Sequence, residues 1–155
     1  MLSIDNNFSV KKGLTMQTFI VTKEMDRNAE ILDRSRLGKQ RVEAIQIART
    51  LLGLSNGWEN HPAVKMWRGY ESFLVKIYLK SIMNEWIKRG YNNDKCGKHY
   101  LQLLECIKSS EPIVPNWFSE DFFRSHQSNL LRKNKDHYSK YFSDVPDNLE
   151  YIWPK

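Results

Sequence analysis

The residues best suited to chemistry lie in one stretch, 32–47, which reads LDRSRLGKQRVEAIQI. In a helix of about 3.6 residues per turn, Arg36, Gln40 and Glu43 share one stripe, and Lys39 lies one turn before Glu43. A second stripe can anchor this helix in a core; its members are Leu37, Ala44, Ala48 and Leu51. The first stripe is then expected to present the Glu43 carboxylate among the cations Arg36, Lys39 and Arg41.

Two interpretations of Glu43 are open. A carboxylate among cations is most commonly half of a buried ion pair between helices. The functional alternative is an acid, base or charge stabiliser on a DNA-binding face, where Arg36, Lys39 and Arg41 hold phosphates while Glu43 acts on the sugar. The net charge of +6 favours a polyanionic partner, although ordinary solubility explains it equally well.

A second candidate cluster lies at residues 126–141, HQSNLLRKNKDHYSKY, where basic and aromatic side chains alternate. Such a mixture suits phosphate contacts combined with base stacking. The DNA-binding candidates taken from it are His126, Arg132, Lys133 and Tyr138. The alternative is a solvated amphipathic helix whose Leu130, Leu131 and Tyr138 enter the core.

Isolated residues add weaker signals. His61, between Asn60 and Pro62, could orient a substrate or contact DNA, although such a histidine more often completes a helix start. Cys96 and His99 are three residues apart, but no second pair accompanies them, so no metal site is predicted.

The first elements that must position these residues are an arm and two helices. Residues 1–15 are interpreted as a flexible extension or a misassigned start ahead of Met16, and residues 17–23 as an extended N-terminal arm. Asp26 is a candidate N-cap for one helix. Asp33 is a candidate N-cap for the next, which should run to Leu52 and stop at Gly53.

Helical periodicity continues through the rest of the chain. Asn60 is a candidate N-cap for a long central helix over residues 63–89, bent at Gly69 and ended by Gly90. A shorter helix is predicted over residues 94–108, and Ser119 should cap a further helix, either continuous or broken. The aromatic ending, residues 151–155, is expected to pack back on the body.

These elements predict an all-α fold: a compact single domain over residues 16–155 around the long central helix, with an extended N-terminal arm. No apolar run approaches the roughly 18 residues of a membrane span. We expect an intracellular, monomeric protein without a membrane partner.

The motif order resembles the phage-type pyrimidine-dimer DNA glycosylases, also called endonuclease V. The resemblance rests on LDRSRLGKQRVE at 32–43, HPAVKMWRGYE from residue 61, NEWIKRGYN at 84–92 and the basic, aromatic C-terminal third. It covers most of residues 17–153, in spacing and motif order, with modest identity.

The resemblance implies an all-α repair enzyme that acts on damaged double-stranded DNA without a metal or cofactor. In that family an N-terminal amine attacks the sugar C1′ of the damaged nucleotide and forms an imine that permits strand cleavage, and one glutamate is required; Glu43 occupies the matching position. The family's amine belongs to a threonine exposed by loss of methionine, whereas Leu2 follows Met1 here and Gln17 follows Met16. The candidate amines are therefore those of Met16 and Lys39.

Two other functions remain as alternatives. A non-catalytic DNA-binding protein of the same fold would explain the charge and the missing threonine. A small interaction domain would leave the basic side chains merely solvated.

Overall fold

The extended arm is part of the hydrophobic core in the computed structural model, which describes residues 16–154. Residues 1–15, where the extension or misassigned start is predicted, lie outside the described residues. Met16 and the consecutive residues Thr18, Phe19, Ile20 and Val21 are all buried. Since successive side chains of an extended chain point in opposite directions, the protein covers this arm from both sides.

Helices account for the regular structure that follows. They are α1 (Met25–Ile31), α2 (Arg34–Leu51), α3 (Pro62–Lys65), α4 (Glu71–Phe73), a π-helical segment (Leu74–Leu79), α5 (Lys80–Lys88), α6 (Asp94–Cys106), α7 (Glu120–Lys133) and α8 (Lys135–Tyr138). Between residues 16 and 154 no strand is formed. The all-α prediction and the extended arm are confirmed.

Helix α2 begins and ends where the sequence predicts. Asp33 occupies the N-cap position, and Gly53, just beyond the C-cap Leu52, has a φ of +77° that glycine adopts readily. The prediction for α1 is wrong by two residues, because Glu24 occupies its N-cap position. Asp26 instead lies in the first turn, where its negative charge interacts favourably with the helix dipole.

The long central helix is interrupted, contrary to the prediction. Gly69 has a φ of +90° and separates α3 from α4, so it breaks the helix rather than bending it. His61, not Asn60, caps α3: its Nδ1 accepts a hydrogen bond from the Ala63 N–H at 3.0 Å. From Glu71 to Lys88 the helix is continuous, and Gly90 follows with a φ of +93°.

The core forms where α2 packs against the π-helical segment, α5 and α6. Trp67, Tyr78 and Tyr138 are its largest fully buried side chains. Further along, the Ser119 hydroxyl accepts from the Phe122 N–H at 3.1 Å, which confirms the predicted cap of α7. Within the described residues, no helix is long and apolar enough to cross a membrane.

Candidate active site

Glu43 lies on the side of α2 that faces the arm. Glu43 and Gln40, one turn earlier, are each only 1% exposed, so this part of the stripe is buried. Gln40 Nε2 donates to the Gln17 carbonyl at 2.7 Å and lies 3.4 Å from Glu43 Oε1. One amide group therefore joins the carboxylate to the beginning of the arm.

Side chains, rather than a neighbouring strand, satisfy the backbone of the arm. Gln40 Oε1 accepts from the Phe19 N–H at 3.1 Å. Asn28 accepts from the Val21 N–H at 2.7 Å and donates to the Phe19 carbonyl at 2.9 Å. Because buried backbone groups require partners, α1 and α2 together determine the path of the arm past Glu43.

The C-terminal part of the chain holds the other side of the arm. His126 Nδ1, on α7, accepts from the Ile20 N–H at 3.2 Å. The hydroxyl of Tyr151 accepts from the Thr18 N–H at 3.1 Å and donates to the Thr18 carbonyl. Trp67 Nε1 completes this environment by donating to the Thr18 hydroxyl at 3.1 Å.

Burial determines the protonation of the groups around the arm. It raises the pKa of the phenols of Tyr78 and Tyr151, and the charge of Glu43 adds to this effect. Both phenols are therefore neutral donors at neutral pH; that of Tyr78 donates to Gln40 Oε1. Burial lowers the pKa of His126 to about 3, so its imidazole is neutral.

A group of cations borders the carboxylate. Lys133 Nζ lies 5.9 Å from the centre of the Phe19 ring, and Arg36 donates to Asp33 Oδ2 at 3.0 Å. Burial lowers the pKa of Lys133, and the charges of Lys39 and Arg36 lower it further, while the charge of Glu43 opposes them. The Lys133 amine therefore loses its proton more readily than that of an ordinary lysine.

The structure brings some of the predicted site residues together and separates others. Gln40 and Lys133 contact the arm that follows Met16, and Glu43 lies beside Gln40. The charges of Arg36 and Lys39 act on Lys133. His61 instead packs between Trp58 and Trp153, with ring centroids 6.1 and 5.8 Å away. Arg132 donates to the carbonyls of Asp147 and Leu149 and so holds the C-terminal tail, which packs back as predicted.

Three expected DNA contacts are buried, and their polar atoms bind within the protein. Gln40 is bonded to the arm, His126 lies between Ile20 and Ile152, and Tyr138 donates to Asp33. All three residues are at most 1% exposed, so none of them offers a polar atom at the surface. The alternative that Leu130, Leu131 and Tyr138 enter the core is confirmed.

Sequence reasoning missed several groups that shape this site. No sequence pattern distinguishes Asn28, which is one polar residue in a short helix. The aromatic ending is the only sequence signal for Tyr151. The basic cluster indicates Lys133 for phosphate contact but not as an amine nucleophile. Their importance depends on contacts between distant parts of the chain.

Comparison with models of known protein families gives a match. The family model described as pyrimidine dimer DNA glycosylase matches residues 16–97, from Met16, just before the arm, to the first turn of α6. No curated protein and no solved structure matches the chain. Because the match covers more than half of the sequence and includes Glu43, the protein belongs to the pyrimidine dimer DNA glycosylase family and is a DNA-repair enzyme whose substrate is DNA.

Proposed function

We propose that the protein removes damaged pyrimidines from double-stranded DNA and then cleaves the abasic strand, with Glu43 and an amine at the arm as its catalytic groups. The observation that carries this proposal is the link from Glu43 through Gln40 to the Gln17 carbonyl. This link supports a mechanism in which the Glu43 carboxylate and an amine at the beginning of the arm act on the same sugar.

The chemistry requires one amine and one carboxylate. The amine nitrogen forms a bond to C1′, and the bond from C1′ to the base breaks with its electron pair leaving on the base, which gains a proton. The amine loses a proton, and the C1′–O4′ bond then opens with its electron pair on O4′, which gains a proton, so that a protonated imine is left. Removal of a C2′ proton then expels the 3′ phosphate.

Glu43 has two roles in this proposal. Its negative charge stabilises the positive charge that develops on the sugar, and its oxygen takes part in the proton transfers. The base must leave the duplex before an amine can reach C1′, which an unpaired or damaged base does most easily.

The amine that best fits the arm is the α-amine of Met16, in a protein that starts at this residue. It would lie one residue before the carbonyl held by Gln40, and the family match also begins at Met16. When residues 1–15 are attached, the same nitrogen is an amide and has no nucleophilic lone pair. Lys39 and Lys133 are then the candidate amines, and Lys133 is favoured by its lowered pKa and its position over Phe19.

Borohydride trapping tests the proposal directly, because reduction converts an imine into a stable cross-link. Proteins beginning at Met1 and at Met16 are incubated with duplexes that contain a pyrimidine dimer or an abasic site. We expect the protein beginning at Met16 to be trapped as a monomer, with one chain on each duplex. Glu43→Gln should reduce trapping on the dimer by on the order of 10²-fold or more.

Further variants distinguish the amines and the alternative function. Exposed Glu59→Gln is the matched control for Glu43→Gln and should behave as the wild type. Trapping of the Met1 protein that disappears in Lys133→Gln but not in Lys39→Gln would assign the amine to Lys133. DNA binding without trapping or base release by either protein would contradict the proposal and favour the non-catalytic alternative.

A further inference from the structure

A groove of about 770 Å³ lies along the flank of α2, beside the stripe that carries Glu43. Arg34, Lys39 and Arg41 line it together with Gly38 and Trp86. The carboxylate in its lining is that of Asp33, which is bonded to Arg36 and to Tyr138. The groove therefore has a surplus of positive charge.

Two of its arginines are held in place by aromatic rings. The guanidinium carbon of Arg41 lies 4.3 Å from the centre of the Trp86 ring, and that of Arg34 lies 4.8 Å from the centre of the Tyr91 ring. The two rings themselves are 4.5 Å apart. Stacking leaves the N–H edges of a guanidinium available and reduces the entropy lost when they bind an anion.

Hydrogen bonds fix this stack to the loop after α5. Trp86 Nε1 donates to the Asn92 carbonyl at 2.8 Å, and Arg41 donates to Asn93 Oδ1 at 3.1 Å. Gly38 allows the indole to approach α2, since a Cβ at this position would lie only 3.1 Å from Trp86 Cζ3. A side chain here would push the indole and the arginine stacked on it away from the helix.

We propose that this groove binds the phosphodiester backbone of DNA beside the lesion, an inference that rests on the proposed function. A phosphate fits better than a base, because the indole already packs against Arg41, Tyr91 and Gly38 and therefore supports cations. Two oriented guanidinium groups are well suited to phosphate oxygens. Lys39 links the groove to the active site, because it lies one turn before Glu43.

The first experiment removes the charges singly and together in Arg34→Gln, Arg41→Gln and the double variant. Affinity for a short duplex that carries a tetrahydrofuran abasic analogue, which cannot form an imine, is measured at several salt concentrations. We expect each single variant to bind roughly five- to tenfold more weakly and the double variant to lose more. The slope of log affinity against log salt should fall by about 0.9 per lost contact. Arg68→Gln changes an exposed arginine outside the groove and is the control for the single variants, because it causes the same change in net charge.

The second experiment changes the geometry of the groove without changing the charge. Gly38→Ala should lower the affinity for the same duplex, because Trp86 and Arg41 must move, while thermal unfolding shows that the protein remains folded. Because phosphates are the same in every sequence, the losses should be equal on damaged and undamaged duplexes.

The outcomes separate the two proposals. If the double variant has the same affinity and salt slope as Arg68→Gln, the groove does not bind DNA and this inference is wrong, whatever the trapping result. If the double variant loses affinity and slope while no protein forms an imine, the groove is confirmed and the proposed chemistry fails. A loss in Gly38→Ala alone would also contradict a phosphate site, since the guanidinium groups would then contribute nothing.

Discussion

The hydroxyl of Tyr151 binds both main-chain groups of Thr18, accepting from its N–H at 3.1 Å and donating to its carbonyl. The two residues are 133 positions apart in the chain. Tyr151 also lies beyond residue 97, where the family match ends. The tail and α7, which both lie beyond the match, therefore help α1 and α2 to position the arm.

Tyr151→Phe should weaken the hold on the arm while keeping the aromatic ring. Because the N–H and carbonyl of Thr18 lose their partner, we expect the free energy of unfolding to fall by about 1–3 kcal/mol. Displacement of the arm should slow base release by on the order of tenfold or more. Denaturant unfolding and single-turnover base release measure the two effects.

Tyr141→Phe is the matched control for this prediction, because the ring of Tyr141 is 39% exposed. It should change neither stability nor rate. A Tyr151→Phe protein with wild-type base release would show that the tail does not position the arm.

Gln40→Met tests the link between Glu43 and the arm. Methionine has a similar volume but cannot bond the Gln17 carbonyl or the Phe19 N–H, so two main-chain groups would lose their partners. We expect a loss of about 2–4 kcal/mol in the free energy of unfolding. Because Gln102 is exposed, Gln102→Met should change the free energy of unfolding little. Equal losses of stability in the two variants would contradict a special role for Gln40.

Acid should destabilise the protein through His126. Its pKa is lowered from 6.5 to about 3 in the folded state, so the unfolded chain binds a proton that the folded chain does not. Stability from this group is complete above pH 6.5 and falls as the pH decreases, by up to about 1.4 kcal/mol per pH unit, until about pH 3. Urea unfolding at a series of pH values measures this slope.

Replacing the histidine should remove its contribution to the slope. His126→Gln is expected to be less stable at neutral pH but less sensitive to acid. His99→Asn is needed for comparison, because burial lowers the pKa of His99 in the same direction. An unchanged slope in His126→Gln would show that this imidazole is not the group being protonated.

Gly69→Ala should destabilise the turn that separates α3 from α4. At a φ of +90° an alanine side chain is strained, so we expect a loss of about 1–2 kcal/mol in the free energy of unfolding. Gly57→Ala is the control, since its added Cβ would meet only the Ser55 hydroxyl at 3.8 Å. Equal stability of the two variants would mean that the turn can relax into another conformation.

Local sequence patterns are sufficient to predict the class of fold, the limits of α2, the cap of α7 and the extended character of the arm. These features depend on neighbouring residues, because periodicity, caps and terminal glycines act within one or two turns. The same locality explains why Asp33 and Ser119 were correctly placed. The motifs around Glu43 were likewise sufficient to indicate the family that the comparison shows.

The burial of particular polar residues depends on the packing of distant segments and does not follow from local patterns. Amide, imidazole and phenol groups are typical of a DNA-binding surface, but those of Gln40, His126 and Tyr138 are buried. The first two are bonded to the arm, and the third is bonded to Asp33. The sequence predicts a bend at Gly69, but the helix is broken there because Gly69 has a positive φ, which local patterns do not reveal. The physical reason is that burial and hydrogen-bond partners depend on which distant segments pack together, as Tyr151 and Thr18 do.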